Sequence, residues 1–430
     1  DVHRWSDFPE VNAFVDNIFN KYFQKKTNIR KKHLKVVLLD LYLAWRDDPT
    51  LSIGVGMSPK HYKAGKSRYN SLHIKRTMIE IVKELQKHKL IRLLGGKRVS
   101  TKIGYVSRIW AEDKLIQKFQ DSTFLEFEIG HHDERETVIL RDSSKEEIEY
   151  VDNTDTKRMR TQLTAYNKLL EKSFIDIQKY DVPRILINPK KRRRTTEPKY
   201  VYLSHHHKFV RRIFNNSTFE EGGRFYGGWW QRVDGKIRKD IRINNVATVE
   251  IDYSAIHVIM LYALIRIDYW EHYSKDPYDI NVRFVNDPEH SRTIVKNLLL
   301  LGINANDEKS LFKAFRNEHD YETMNYEFTD VRLKEILEDI KKEHSRIADK
   351  ICSGQGIKLM KYDSMIVEYI LDKFIERDTP ILTVHDSFIV PFGLENELYR
   401  LMQEAFERFM YTYKTKVKYN ENMTKQDLYS

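Results

Sequence analysis

The chain is 430 residues long and carries 74 lysine and arginine residues against 63 acidic ones, a formal net charge of +11. This length exceeds the about 250–300 residues that one hydrophobic core supports, which predicts two or three domains and excludes a minimal binding module. The single cysteine, Cys352, excludes an intrachain disulfide framework and favours a reducing, cytoplasmic location. No apolar run reaches the about 18 residues of a membrane span, and the N-terminal DVHRWSDF is unlike a signal peptide, so we expect a soluble protein without a membrane partner.

Residues 1–115 have the element order of a winged helix. Helices are predicted over 11–27, 33–46 and 70–87, followed by β-type runs at 90–94 and 103–111 around the basic KRVSTK. The helix at 70–87 would enter a major groove while the basic hairpin contacts phosphate. The excess of basic residues and the 12% aromatic content are typical of nucleic-acid binding, so we predict a winged-helix-like DNA-binding domain. A small α+β protein-interaction module is the alternative.

Residues 116–200 are predicted to form a linker or a small thumb. The stretch 124–148 is acidic and β-like, 157–178 is helical, and the basic run PKKRRRTTEPK follows at 189–199. Lys191, Arg192 and Arg193 are candidate template contacts because they stand just before the C-terminal domain; a nuclear-localisation signal at 190–194 or a solvated linker are the alternatives. The following histidines, 205–207, are interpreted as polar surface, since consecutive histidines rarely converge on one metal ion.

The segment FEEGGRFYGGWWQ, at 219–231, combines four glycines with four aromatic residues around Arg224. Glycines allow close approach of a backbone or ligand, and aromatic faces beside a guanidinium suit stacking and bidentate hydrogen bonding. Arg224 and Tyr226 are therefore candidate nucleic-acid contacts. The alternative is a glycine-rich hairpin whose tryptophans fill the core.

Two aspartates each interrupt an apolar, β-type stretch. Asp252 follows VATVEI and leads into an apolar helix that Ser254 is expected to cap, and Asp386 lies in ILTVHDSFIVP as at a hairpin tip. A carboxylate at the end of a buried strand is costly unless a cation holds it there. Two carboxylates on neighbouring strand ends can hold two Mg²⁺ or Mn²⁺ ions for phosphoryl transfer.

Between the aspartates, SRTIVKNLLLLGINAN at 291–306 predicts a helix. Arg292 and Lys296 are four residues apart and so project from one face of it. Such a pair can bind a triphosphate and offset its charge as pyrophosphate leaves. Solvated charge at a helix start is the alternative.

These segments carry a resemblance to family A polymerases, the group of bacterial DNA polymerase I and the single-subunit phage and mitochondrial RNA polymerases. DYSAI at 252–256 resembles motif A, VHDS at 384–387 resembles motif C, and Arg292 with Lys296 is similar to the start of motif B. GGRFYGG resembles the arginine-bearing segment near the primer end. The resemblance covers about residues 200–415, half of the chain. GGRFYGGWWQ and VHDSFIV also resemble segments of proteins from bacterial plasmids and integrated elements, which implies no activity but agrees with replication, priming or gap filling in a mobile element, plasmid or phage.

The resemblance implies a role for each matching residue. Asp252 and Asp386 would be the metal ligands, with the backbone carbonyl of Tyr253 as an additional one. Arg292 and Lys296 would bind the incoming nucleoside triphosphate.

Other positions match less well or depart from the family. His385 would lie near the primer terminus, and Arg224 with Tyr226 would contact the primer–template. Asn304 stands where the family usually has an aromatic residue that stacks on the new base pair. His257 stands where the DNA enzymes have a glutamate that excludes the ribose 2′-hydroxyl and the RNA enzymes a glycine; an imidazole is bulky enough to exclude it, which favours dNTPs.

Ser387 points the other way, because the RNA enzymes have serine after HD, so DNA synthesis is favoured only narrowly. The predicted fold is α+β: a right-hand polymerase palm with helical fingers at 201–430, behind the winged-helix-like domain. We expect a monomer that acts on primer–template DNA, or RNA, with nucleoside triphosphates. About 230 residues for palm and fingers imply low processivity. The alternatives are an RNA polymerase or primase, a metal-dependent nuclease, and a non-catalytic, sequence-specific DNA-binding replication or regulatory protein.

Overall fold

The computed structural model describes residues 2–62, 67–98, 104–187, 199–318, 327–411 and 413–419. The chain divides into two compact units. The N-terminal unit consists of Asp1–Thr137, Glu149–Asp152 and Ser204–Lys208, and the C-terminal unit of Val138–Ile148, Asn153–Leu203 and Phe209–Ser430. The range 116–200, predicted as a separate linker or thumb, contributes residues to both units. Within the described ranges, no helix has the length and apolar character needed to cross a membrane.

The N-terminal unit combines helices with a small antiparallel sheet. Its elements are β1 (Arg4–Trp5), α1 (Pro9–Tyr22), α2 (Asn28–Asp47), β2 (Ile53–Val55), α3 (Thr77–Lys87), β3 (Ile91–Leu94), β4 (Lys97–Arg98), β5 (Gly104–Tyr105), β6 (Ser107–Ala111), α4 (Asp113–Gln120) and β7 (Gly130–His131). Strand β6 lies between β2 and β3, and β4 pairs with β5. The apolar faces of α1, α2 and α3 supply most of one hydrophobic core.

Two expectations for this unit are corrected. The helix predicted from Asn70 begins only at Thr77, because the Asn70 side chain binds both the N–H (2.8 Å) and the carbonyl (3.0 Å) of Ile74 and holds a turn. The β-like stretch FLEFEIG contains a 3₁₀ turn at Glu126–Glu128, where Glu128 accepts a hydrogen bond of 2.8 Å from the backbone of Leu125. In both places local side-chain hydrogen bonds override the apolar pattern.

The C-terminal unit is a mixture of helices and strands, as the α+β prediction requires. Its elements are β8 (Val138–Leu140), α5 (Thr154–Lys172), β9 (Ile175–Asp176), β10 (Arg184–Ile187), β11 (Lys199–Tyr202), β12 (Arg211–Phe214), β13 (Gly222–Tyr226), α6 (Gly235–Arg238), β14 (Arg242–Ile243), β15 (Val246–Tyr253), α7 (Ile256–Leu264), α8 (Tyr269–Tyr273), α9 (Pro288–Asn304), α10 (Glu308–Glu318), α11 (Asp330–Glu343), α12 (Gly356–Glu376), β16 (Leu382–Val384), β17 (Ser387–Pro391), α13 (Glu395–Phe409) and β18 (Val417–Tyr419).

The main sheet of this unit is built around β15. Its strand order is β16-β17-β15-β14-β9, and β18 also pairs with β15. Strands β17 and β18 are both antiparallel to β15, so that Asp252 lies opposite Ser387 on one strand and Lys418 on the other. Helix α13 packs on one face of this sheet. The Tyr253 hydroxyl donates a hydrogen bond to the carbonyl of Met402 in α13 at 2.6 Å.

A second sheet, with the order β13-β12-β8, carries the glycine-rich segment. Gly223 has φ +86°, and a Cβ there would lie 2.6 Å from the Phe214 ring and 2.9 Å from the Ser364 hydroxyl. Only glycine tolerates both the backbone conformation and this approach to α12. Trp229 and Trp230 are buried, and the Trp230 indole donates to the carbonyl of Thr383 in β16 at 3.0 Å. The tryptophans therefore fill the core, as expected for a glycine-rich hairpin with core tryptophans. Trp230 also supports β16 through its hydrogen bond to Thr383.

Candidate active site

Strand pairing brings Asp252 and Asp386 to the same end of the main sheet. A two-residue loop, His385 and Asp386, joins β16 to β17. The last residue of β16, Val384, pairs with the first residue of β17, Ser387. Ser387 also pairs with Asp252, so the two carboxylates stand on adjacent strand ends. His385 has φ 57°, a left-handed conformation in which histidine is enriched several-fold among non-glycine residues.

Negative charge accumulates at this end of the sheet. Burial first, and then Asp386 and Glu250, raise the pKa of Asp252 to about 8, although Lys418 and Lys296 oppose the rise. A shift of this direction means that the ionised form lacks a sufficient counter-charge. Hard carboxylate oxygens with unbalanced charge are the donor set that Mg²⁺ or Mn²⁺ prefers, so the residues present fit such an ion.

Glu250 is a site residue that the sequence interpretation missed. It precedes Asp252 by two positions in β15 and so faces the same side of the sheet. Arg238 binds both of its oxygens, at 3.0 and 2.8 Å. The Ser387 hydroxyl donates a hydrogen bond to Glu250 Oε1 at 2.7 Å. The serine considered above as an indicator of sugar preference therefore has a structural hydrogen bond within the protein. The period-two pattern of VEIDY was the available signal.

Arg224 is held by a second missed residue, Asp363 of α12. The Arg224 Nε donates to both oxygens of Asp363, at 2.9 and 3.2 Å, and its terminal nitrogen also contacts Asp363. The Asp363 side chain is only 1% exposed. Burial by itself would lower the pKa of Arg224, but Asp363 raises it above its usual value. The arginine is thus a fixed positive charge. Helix α12 contains a second aspartate, Asp372, and nothing in the local sequence distinguished Asp363 as the partner.

His257 joins the same cluster. Its Nε2 lies 3.1 Å from the guanidinium of Arg224 and 3.0 Å from Asp363 Oδ2. The imidazole is buried at the second position of α7. Depending on its tautomer, it accepts from Arg224 or donates to Asp363. The candidate sugar-discriminating residue is therefore held in place by the groups that hold Arg224.

His385 stands against Tyr226. The two rings are 5.6 Å apart in an edge-to-face arrangement. Burial, and then Arg224, lower the pKa of His385, which keeps the imidazole neutral near pH 7. Its Nδ1 is buried and has no hydrogen-bond partner within the described part of the chain. A neutral imidazole with a free nitrogen can exchange a hydrogen bond with a bound substrate.

Helix α9 brings Lys296 near the carboxylates. Burial and then Lys418 lower the pKa of Lys296, whereas Asp252 and Asp386 raise it, so the amine is close enough to interact with all three groups. Arg292, one turn earlier, is 43% exposed and pairs with Asp276 at 2.6 and 3.1 Å.

Tyr278 also borders this region and was not anticipated. Its pKa is raised by burial and then by Asp276 and Asp386. The phenol is therefore a neutral hydrogen-bond donor beside the charged cluster.

The remaining candidates lie apart from this cluster. The Tyr253 side chain is buried in the core, so that only its backbone carbonyl is available as a ligand. Asn304 ends α9, about 12 Å along the helix from Lys296 at 1.5 Å per residue. Its amide donates to the carbonyl of Leu300 at 2.7 Å. Lys191, Arg192 and Arg193 lie outside the described residues.

The strand-to-helix junction also differs from expectation. Ser254 does not cap α7; it precedes the N-cap residue, and its N–H donates to the carbonyl of Lys416 at 2.9 Å. The N-cap is Ala255, in a left-handed conformation with φ 54° and without a side-chain hydrogen bond. Such a conformation costs a non-glycine residue of the order of 1–3 kcal/mol, which the surrounding packing has to offset.

Comparison with known proteins finds distant similarity to solved structures. No protein-family model matches the chain, and no curated protein matches it. The structure is similar to the POL domain of Pol1 from M. smegmatis, solved in complex with DNA primer-template and dNTP, with a TM-score of 0.30 and 13% identity. The similarity covers 97% of this chain and 66% of that one, slightly less than two thirds. A TM-score of 0.30 does not establish a shared fold, so the function is argued from the residues of the site.

Magnesium should stabilise the protein more near pH 9 than near pH 6. Because the folded pKa of Asp252 is about 8, above that of an unfolded aspartate, the metal-free fold loses stability as the pH rises from about 4 to about 8. An ion binding near pH 6 has to displace a proton, so its apparent affinity should be about 100-fold weaker than near pH 9. The thermal unfolding midpoint, measured with and without Mg²⁺ at both pH values, tests this expectation.

The matched control is Asp181→Asn, which removes an exposed carboxylate of the same unit. It should leave the response to magnesium unchanged, whereas Asp386→Asn should abolish it. An equal response at both pH values, or a full response in the Asp386 variant, would contradict the assignment.

Proposed function

We propose that the chain is a metal-dependent, template-directed nucleotidyltransferase. The observation that carries the proposal is the pair of adjacent carboxylates, Asp252 and Asp386, with unbalanced negative charge and with Lys296 nearby. The two aspartates, with the carbonyl of Tyr253, would hold two Mg²⁺ or Mn²⁺ ions. Bound ions of this kind make a 3′-hydroxyl a better nucleophile and neutralise charge on the departing pyrophosphate.

The residues of α9 would bind the triphosphate. Lys296 is half-buried and lies near both aspartates, so its charge acts in a medium of reduced dielectric. Arg292 is more exposed and pairs with Asp276, an exchangeable partner that a phosphate could replace. Together they would offset the charge that develops as pyrophosphate leaves.

Arg224, Tyr226 and His385 would position the primer end. Asp363 fixes the guanidinium of Arg224, which can then hydrogen-bond a nucleic acid without first losing conformational freedom. The neutral His385, packed on Tyr226, offers its buried Nδ1 to a hydroxyl or base edge. Asp363 acts through Arg224 and is a positioning residue.

The N-terminal unit would bind the duplex as a winged helix. The support for this proposal is the order of the elements along the chain. Helix α3 comes between β2 and β3, and the paired strands β4 and β5 come between β3 and β6, which pair with each other. Arg76 and Lys83 are exposed at and within α3, seven residues apart and so on one face. This face would contact phosphate.

Purified protein should extend a primed template in the presence of Mg²⁺ and nucleoside triphosphates. Asp252→Asn and Asp386→Asn should each reduce the rate by about 1,000-fold or more, because each removes a ligand of the proposed ions. Gel-resolved primer extension, with the template in excess and a trap for free enzyme, measures both rate and product length.

The control for this assay is again Asp181→Asn, which should retain full synthesis. Wild-type rate in either site variant would overturn the metal assignment. Cleavage of the template that proceeds without nucleoside triphosphates would indicate a nuclease instead. Long products from one binding event would contradict low processivity.

Sugar selectivity should depend on His257. Replacing the imidazole in His257→Gly should lower the preference for dNTPs over rNTPs by about 10-fold or more, the usual effect of removing one steric barrier. The ratio of kcat/KM for the two sugars is the measurement.

Two further variants separate selectivity from positioning. His257→Gln keeps the bulk of the side chain and should preserve the preference. Asp363→Asn should lower kcat/KM for both sugars, because it loosens Arg224, and should also reduce the sugar preference to a smaller extent than His257→Gly does, because Asp363 contacts His257 as well. An unchanged sugar ratio in His257→Gly would show that the residue does not discriminate.

DNA binding should depend on the exposed face of α3. The double substitution Arg76→Ala and Lys83→Ala should reduce the slope of log K against log salt by about 0.9 for each phosphate that the protein no longer neutralises. Fluorescence anisotropy with a labelled duplex measures this slope. Lys25→Ala, which removes an exposed charge between α1 and α2, should leave it unchanged. Equal slopes for the double variant and wild type would contradict the assignment.

A further inference from the structure

A second group of metal-ligating side chains lies within the N-terminal unit and shares no residue with the proposed polymerase site. It consists of Asp47, His206 and His207, whose ligand atoms all lie within 4.8 Å of one another. The Nε2 atoms of His206 and His207 are 3.0 and 3.1 Å from the same carboxylate oxygen, Asp47 Oδ2. The interpretation of this histidine run as polar surface is wrong for His206, which is buried, while His205 and His207 are partly exposed.

The reason lies in the local backbone. Residues His205–His207 form a 3₁₀ helix, in which successive side chains are about 120° apart. Two adjacent histidines can then approach one point, which a strand would prevent because its successive side chains face opposite ways. The His206 side chain is 3% exposed and that of Asp47 is 7% exposed, so the cluster is largely internal.

Asp47 occupies a costly position for a carboxylate. It is the last residue of the 20-residue helix α2, at the negative end of the helix dipole. Its carboxylate is contacted at one oxygen by the imidazoles of His206 and His207, and it accepts a hydrogen bond at the other oxygen from the Ser204 hydroxyl. These three polar contacts hold the carboxylate in one orientation.

The cluster brings metal-ligating atoms together without a direct ion pair to Arg4 in the way. The Nε2 atoms of both histidines contact one oxygen of Asp47, while Arg4 forms its ion pair with Asp40 at 3.8 Å. One carboxylate and two imidazoles that converge in this way form a donor set for a metal ion.

We propose that Asp47, His206 and His207 bind a transition-metal ion of the Zn²⁺ class. Imidazoles with one carboxylate suit Zn²⁺ and related ions, whereas Mg²⁺ requires oxygen ligands. Four ligand atoms placed tetrahedrally about 2.1 Å from an ion are about 3.4 Å apart. The two Nε2–Oδ2 separations, 3.0 and 3.1 Å, are a few tenths of an ångström shorter, so small side-chain shifts would admit the ion. The Ser204 hydroxyl binds the other oxygen of Asp47 and orients the carboxylate.

This ion would have a structural role. It would link the two histidines of the 3₁₀ helix to Asp47 at the end of α2, and all three ligands belong to the N-terminal unit. The His207 side chain is 33% exposed, so one side of the ion would face solvent and carry water. The site is independent of the proposed polymerase chemistry, which uses oxygen ligands in the other unit.

The experiment uses untagged, full-length protein that has been treated with chelator and dialysed. Zn²⁺ is titrated by calorimetry in excess Mg²⁺, which occupies carboxylate sites but competes poorly for imidazole. Metal analysis gives the stoichiometry, and the visible spectrum of the Co²⁺-substituted protein reports nitrogen ligation. We expect one Zn²⁺ per chain and an affinity at least about 100-fold weaker in His206→Ala and in His207→Ala.

His205→Ala is the matched control, since His205 adjoins the cluster but is not part of it. It should bind Zn²⁺ as wild type does. His207 is 33% exposed and His206 only 3%, so His207→Ala disturbs packing less and keeps the test valid if His206→Ala unfolds. Wild-type affinity in His207→Ala, a loss in His205→Ala equal to that in His207→Ala, or no wild-type binding tighter than about 10 µM would overturn the proposal.

Discussion

The gathering of carboxylates at the end of β15 is the constraint that the site of the C-terminal unit has to accommodate. Asp252 pairs with Ser387, the residue that follows Asp386 of the hairpin loop, and Glu250 lies on the same face of β15 as Asp252. The neighbouring side chains neutralise these carboxylates to different extents. Glu250 receives a bidentate arginine and a serine hydroxyl, whereas Asp252 has only partial compensation from Lys296 and Lys418 and so carries a raised pKa. An external cation would therefore stabilise the charged form of Asp252.

Helix α12 supports this arrangement from behind the second sheet. Its Asp363, Ser364 and Glu368 lie on one face and bind two arginines, Arg224 of β13 and Arg212 of β12. Arg212 is fully buried, and its pair with Glu368 keeps the pKa of that glutamate low in spite of burial, which would raise it. Breaking a buried pair costs several kcal/mol because one charge is left unpaired. The position of Arg224, and with it His257, is therefore tied to the core of the unit.

The two units hold chemically different candidate metal sites. The C-terminal unit offers oxygen ligands with unbalanced charge, which suit Mg²⁺ or Mn²⁺ in an exchangeable, reactive role. The N-terminal unit offers two imidazoles and one carboxylate, a set that suits a tightly held ion. Because the ligand types differ, each site can select its own ion from a mixture, and the two can be tested separately.

Apolar periodicity and the breaks in it report local structure directly, so the strand that ends near Asp252, the hairpin tip with Asp386 and the helix with Arg292 and Lys296 are all predictable from the amino-acid sequence. The composition around Arg224 also singled out that residue. The partners became visible only in the folded chain: Asp363 for Arg224 and His257, Glu250 for Ser387, and Asp47 for the paired histidines. These contacts join residues from 106 to 160 positions apart, and no local pattern encodes which distant side chains share a pocket. The carboxylates at the end of β15 could thus be found from their sequence context, but the charge that remains on them follows only from how the whole unit packs.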